Sequence, residues 1–291
     1  MNRVIACIDS SPCINAIADA AAWVAKATGR ELVLLQILDY YPASYHLGEI
    51  SGVIGFESNA MLLKELAELE QKQSELALDY SNNLLRHISD LIKEKHGITC
   101  SKIQEKGDFL EQSFNLLHEN DIVILGRVGE RAAEKHKPIG SNVENFIRGA
   151  NCTVLTIGEN FKVPTRFIFA YEYSPTCQKM MRRIAQSDLL RTLQCHLVYV
   201  GDHPEILNEP EHYLKQAGLD VVTVYRYGDV AQNILEYQQE HGIQIIVLGA
   251  FSHSKIHQFF LGSIATTIFR NATVPLPVSS TNLPLPTKRV V

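Results

Sequence analysis

Asp121-Ile122-Val123-Ile124-Leu125-Gly126 returns later in the chain as Gln244-Ile245-Ile246-Val247-Leu248-Gly249. Each is a short aliphatic run without polar alternation that stops on glycine. A strand buried on both faces reads this way, and burial on both faces belongs to parallel sheets covered by helices. Upstream, Gly107-Asp108-Phe109-Leu110-Glu111-Gln112 lines up with Gly228-Asp229-Val230-Ala231-Gln232-Asn233. Near the start, Val4–Pro12 lines up with Phe167–Pro175, each an apolar run, then a carboxylate (Asp9, Glu172), then proline three residues on. Downstream, Ile139-Gly140-Ser141 matches Leu261-Gly262-Ser263, and an arginine follows each serine by seven residues (Arg148, Arg270).

Four landmarks in one order define a tandem repeat. The halves are 1–160 and 164–280, joined by Phe161-Lys162-Val163-Pro164, with 281–291 as a tail. The pattern predicts strands at 3–9, 31–38, 98–105, 121–126 and 152–158, then at 165–171, 193–200, 219–226, 244–249 and 273–279. It predicts helices at 12–28, 60–96, 108–119, 140–149, 175–190, 208–217, 229–241 and 262–271. Alternation of this kind gives an α/β fold of two doubly wound parallel-sheet domains. The halves differ chiefly by a helical insert at about 57–97. There Leu62, Leu66, Leu69, Leu76, Tyr80, Leu84, Ile88 and Leu91 recur at helical intervals, predicting one amphipathic helix, interrupted at most once. It covers the sheet, or serves as a lid or partner surface.

Composition narrows the class. The 291 residues carry 27 basic and 32 acidic side chains, a net charge of −5, with 46% hydrophobic residues. That excludes a disordered chain and argues against a nucleic-acid binder, which shows a basic face. No apolar run is long enough to span a membrane, and the N-terminus meets Asp9 too early for a signal-peptide core. Six dispersed cysteines without a C-x-x-C pair read as buried free thiols in a reducing cytoplasm. No G-x-G-x-x-G follows a first strand, which excludes a dinucleotide-binding dehydrogenase. The third strands offer no aspartate at their tips for a phosphoreceiver.

In doubly wound sheets ligands bind beyond the carboxyl ends of the strands. Asp9, Glu172, Gly126 and Gly249 all fall at such ends. Gly140-Ser141 and Gly262-Ser263 open helices, where free N–H groups and the helix dipole suit a phosphate. The carboxylates suit ribose hydroxyls or an adenine amino group. A turn and a helix cap account for each feature alone; together and twice, they point to a nucleotide.

These residues resemble the universal stress protein family in its tandem form, over about 280 of the 291 residues. The family motif is Gly, two residues, Gly, nine residues, Gly, then Ser or Thr, with an Asp ending the first strand. The resemblance implies an adenine-nucleotide α-hydrolase-like fold, a pseudo-dimer of the halves, and ATP or AMP as ligand, with Mg2+ a candidate companion. By position, Asp9 and Glu172 would hold the adenosine, and Leu38 and Val200 would line the adenine pocket. Gly126, Gly129, Gly140 and Ser141 would cradle phosphates in the first half; Gly249, Ser252, Gly262 and Ser263 would do so in the second. Each half departs from the motif. The first has ten residues before Gly140 and Arg127 where a small residue is expected; the second has Ser252 for the second glycine and Glu172 for Asp. The longer loop is the worse defect, so the sequence favours the second half.

In the family the last strand pairs across the dimer, so 152–158 is expected to pair with 273–279. Pro277 would cost a ladder bond unless its N–H position faces away. Further association of two chains stays open. His253 and His257, with Lys255, and the charged loop of Arg131, Lys135, His136 and Lys137 are weaker candidates for phosphate contact. The implied role is a cytoplasmic, nucleotide-dependent stress-response regulator. The alternatives are a slow ATPase or autophosphorylating protein, without a visible nucleophile–base pair, and a scaffold without nucleotide that works through the long helix.

Overall fold

The computed structural model describes residues 2–38, 56–129, 140–248 and 263–279. Its elements follow the predicted order. The first half runs β1 (Arg3–Cys7), α1 (Ile14–Thr28), β2 (Glu31–Leu38), α2 (Phe56–His96), β3 (Cys100–Lys106), α3 (Phe109–Leu116), β4 (Ile122–Gly126), α4 (Ser141–Gly149) and β5 (Thr153–Ile157). The second runs β6 (Arg166–Ala170), α5 (Pro175–Gln186), β7 (Gln194–Val200), α6 (Asn208–Gln216), β8 (Val221–Arg226), α7 (Val230–Glu240), β9 (Ile245–Leu248), α8 (Ser263–Asn271) and β10 (Leu276–Ser279). The insert forms one uninterrupted helix, α2.

Two sheets result, ordered β10-β5-β4-β1-β2-β3 and β8-β7-β6-β9. Every pair is parallel except β10 with β5. The last strand therefore crosses to the first half, with Leu276 opposite Thr156 and Val278 opposite Val154. This is the expected pseudo-dimer joint. Pro275 C=O accepts from Ile246 N–H of β9 (3.2 Å), whereas Leu276 C=O turns to Thr156 Oγ1 of β5 (3.4 Å). Backbone groups alternate sides along a strand, so Pro275 and Pro277 both point their missing N–H toward β9. The β5 ladder is spared, and the β9 side, deprived of two donors, is where the sheet divides.

Side chains alternate between two faces of each sheet. Val4, Ala6 and Ile8 pack under α1 and α2, and Phe167, Phe169 and Tyr171 under α5 and α6. The opposite faces merge: Ile5, Cys7, Val33 and Phe146 of the first half join Ile168, Val198, Ile234 and Phe269 of the second in one core. Helix starts follow their caps. Asp108 and Asp229 accept N–H bonds at the heads of α3 and α7, and Ser174 caps α5 ahead of Pro175. All six cysteines are free; only Cys100 is more than slightly exposed. No helix among the described residues is long and apolar enough to cross a membrane.

The register revises one pairing of the repeat. Ile8 N–H bonds Leu35 C=O, and its counterpart Tyr171 N–H bonds Val198 C=O. Ile37 sits opposite Glu105, and Val200 opposite Arg226. Val200 therefore corresponds to Ile37, and Leu38 to Gly201. One residue earlier, Gln36 and Gln104 correspond to Tyr199 and Tyr225. In the first half, Ser81 of α2 donates to Gln36 Oε1 and accepts from Gln104 Nε2. Among the described residues of the second half no counterpart of α2 is present, and Tyr199 and Tyr225 stack at these positions (ring centroids 6.2 Å apart, 19° between planes).

Candidate functional site

The first-half residues converge where β1 and β4 end. Beyond β1 the chain turns at Asp9, whose Oδ1 accepts from Ser11 N–H at 3.1 Å. Its Oδ2 lies 3.4 Å from where a Cβ on Gly129 would stand. Gly126 has a packing reason: a Cβ there would meet Ile17 Cδ1 at 3.1 Å and Cys13 Cβ at 3.3 Å. Glycine lets the end of β4 close onto the head of α1. The landing is Gly140, extended at φ −72° and ψ 141°, capping α4 without a side chain. Its N–H donates to Arg127 C=O (3.1 Å), and its C=O accepts from Val143 (3.1 Å) and Glu144 (3.3 Å). Ser141 begins α4. Leu38 ends β2, its C=O accepting from Gly107 N–H (3.0 Å).

The Arg127–Gly140 bond closes the base of the loop. The ten residues that the motif count finds before Gly140, 130–139, lie outside the described residues.

In the second half, Glu172 follows β6 and is exposed; its C=O accepts from Ser174 N–H (2.7 Å) and its N–H faces Cys177 Sγ (3.4 Å). Val200 ends β7, half-buried against the shared core. Ser263 opens α8. Gly249, Ser252 and Gly262 lie outside the described residues, as do His253, Lys255, His257, Arg131, Lys135, His136 and Lys137.

Three neighbours are not assigned to the site by the sequence reading. Ser11 is buried, with no hydrogen-bond partner for its hydroxyl among the described residues; its place beside Asp9 was the available signal. Tyr80 brings α2 to the rim, its Oη 3.3 Å from Ser10 Oγ. Arg127, an oddity in the motif, turns its guanidinium away to Ala272 and Val274 C=O of the second half. Cys7 and Cys13 flank Asp9, but burial and then the Asp9 charge push both thiols up, so neither supplies a thiolate. The assembled groups are a carboxylate, a glycine turn, an unpartnered hydroxyl and a helix N-terminus. Groups of these kinds are those that hydrogen-bond polyols and phosphates.

Residues 1–158 and 205–279 match the model of the universal stress protein family. A curated universal stress protein of Synechocystis sp. is 28% identical over 284 residues, covering 95% of this chain and 99% of its own. Among solved structures, a universal stress protein from Archaeoglobus fulgidus aligns with a TM-score of 0.68 at 20% identity, over 96% of this chain and 98% of that one. A putative universal stress protein from Pseudomonas aeruginosa aligns at 0.56 and 13% identity, over 96% and 93%. These structural likenesses concern the fold.

Proposed function

Because the chain belongs to the universal stress protein family, and so has a stress-response role, we propose that it acts in the cytoplasm as a regulator switched by an adenine nucleotide, ATP or AMP, held at the first half. The observation that carries this reading is the approach of the Asp9 carboxylate to Gly129. It joins the ribose-binding group to the phosphate loop at the carboxyl ends of the strands. Asp9 Oδ2 accepts a ribose hydroxyl, Ser11 Oγ offers a further donor, and the N-terminus of α4 at Gly140-Ser141 takes the phosphates. Leu38 and Ile37 stand at the end of β2, beside the adenine position. Glu172, Val200, Gly249, Ser252, Gly262 and Ser263 form the corresponding second-half set. Mg2+ would accompany ATP.

Calorimetric titration with ATP and with AMP tests this on wild type, Gly129→Val, Gly140→Val and Gly262→Val. A valine at 129 drives methyl groups onto the Asp9 carboxylate. The expected result is binding by wild type and Gly262→Val, and at least about a tenfold loss in the two first-half variants. No binding by nucleotide-free, folded wild type would sink the reading.

One observation favours a second reading, a scaffold. The middle of α2 leaves Leu69, Leu76 and Tyr80 exposed. That reading expects wild-type behaviour in every assay when both glycines are replaced.

A further inference from the structure

Arg127 joins the phosphate loop of one half to a helix of the other. Its backbone is committed within the first half: N–H to Ile157 C=O (2.7 Å), C=O from Gly140 N–H (3.1 Å). Its side chain is committed to the second. Nη1 donates to Ala272 C=O, Nη2 to Val274 C=O (3.1 Å), and the guanidinium lies 5.6 Å from the centroid of the Phe269 ring. Ala272 is the residue just past α8, and its N–H bonds Ile268 C=O. The cation thus sits at the negative end of that helix.

Stability alone does not account for this arrangement. Arg127 is 7% exposed, and no carboxylate partners it among the described residues. Burial pushes its pKa down to about 10, and Nε has no hydrogen-bond partner among the described residues. A neutral side chain of similar volume would fill the space without the desolvation cost of a cation. The link also runs one way, since the residue after Gly249 is Ala250, too short to reciprocate. Glu144 of α4 and Arg270 of α8 stand 3.7 Å apart across the same joint. Val143, Phe146, Ala265 and Phe269 of the two helices share the merged core.

We propose that Arg127 is a positioning residue through which α8 of the second half sets the phosphate landing of the first. Ligand at Gly140-Ser141 and order in α8 are then linked, each strengthening the other by the same factor. The ligand side of this inference rests on the function proposed above; the mechanical side does not. A loosened α8 releases the guanidinium, Arg127 C=O shifts, and the Gly140 N–H loses its acceptor.

Hydrogen exchange on the full chain tests the mechanical side without ligand. Thr267→Gly loosens α8 from an exposed position. It should speed exchange at 140–144, and that remote effect should vanish in an Arg127→Met background and survive in Arg127→Lys, which keeps one donor. An equal effect with and without Arg127, or none in either, overturns the proposal. Titration with AMP and ATP tests the ligand side. Arg127→Met should bind about tenfold more weakly than wild type, Arg127→Lys should recover part of the loss, and nucleotide should slow exchange at 268–274 only where Arg127 or Lys is present. Equal affinity in wild type and Arg127→Met overturns the linkage. If wild type binds no nucleotide, the proposed function fails by itself, and the exchange at 140–144 still decides whether Arg127 couples the halves.

Discussion

Two buried polar residues away from the candidate site show how single side chains set stability. Asp121 is fully buried and accepts from Arg3 N–H (3.0 Å), Arg3 Nη2 (2.6 Å) and His118 N–H (3.0 Å). Burial pushes its carboxyl up, but the Arg3 and His118 bonds outweigh burial and hold it below the ordinary value. The repeat supplies a neutral version: Gln244 Oε1 accepts from Arg166 N–H at 3.1 Å. Asp121→Ala strands Arg3 and should cost about 3 kcal/mol, and Asp121→Asn, which keeps acceptors, about half that; urea denaturation at pH 7 checks both. His196 is buried between Tyr237 Oη (2.7 Å from Nδ1) and Gln194 Oε1 (3.1 Å from Nε2). Burial, then Arg166 and His241, lower its pKa below 6.5. Above 6.5 both folded and unfolded forms are neutral and the group contributes no pH dependence. As pH falls below 6.5 the unfolded chain takes up the proton first, so stability drops until the folded value is reached. His196→Gln should therefore flatten the acid side of the stability profile between pH 6.5 and its folded pKa, measured by denaturant midpoints; an unchanged slope would refute the assignment. At this scale short-range spacing singles out Asp9, Gly126, Gly129 and Gly140, which the structure sets near the ends of β1 and β4. Spacing hides the ties of Arg127, Ser81 and Asp121, whose partners lie far along the chain.

The element scale shows where a periodic pattern says too little. The stripe from Leu62 to Leu91 predicts α2 correctly as a helix, yet one stripe serves two environments. Of its residues Ile88 is buried and Leu84 and Leu91 are half-buried, whereas Leu69, Leu76 and Tyr80 are exposed. The face buried against the sheet and α1 runs through Ser81, Leu85, Ile88 and Ile92, so the stripe shares Ile88 with it and misses the rest. Periodicity reports a face and cannot report what covers it. Ile88 is 1% exposed and Leu76 69%. Ile88→Ala should cost about 2–4 kcal/mol, and Leu76→Ala should stay within about 0.5 kcal/mol, both read from thermal or urea unfolding. A comparable loss at Leu76 would show that something buries it in solution. The one-residue shift that pairs Val200 with Ile37 has a related origin. Strands buried on both faces lack the alternation that pins a register, so the sequence alone set Val200 beside Leu38. Backbone pairing corrects it and reveals that two tyrosines stand where the first half has Gln36 and Gln104 under its long helix.

The whole molecule turns on one antiparallel joint. The sequence raises a cost at Pro277 unless its N–H position faces away, and the placement is directional: the backbone groups of Pro275 and Pro277 point to β9, and those of Leu276 and Val278 to β5. The joint thus keeps its bonds to the first half while those to the second are reduced, and the second half is held across it by the merged core and by Arg127. Leu276 is fully buried in that core, opposite Thr156. Leu276→Pro removes a donor directed at β5 and should cost about 3 kcal/mol or more. It should also split unfolding into two calorimetric transitions, because the halves then lose their shared strand. Pro277→Ala changes a position directed at β9 and should leave a single transition, with stability altered by about 1 kcal/mol or less. If the two variants behaved alike, the facing of the prolines would not explain the joint. A single transition in Leu276→Pro would mean that the merged core of Phe146, Ile168 and Phe269 binds the halves without the strand. In that case coupling between them would depend on α4, α8 and Arg127 more than on β10.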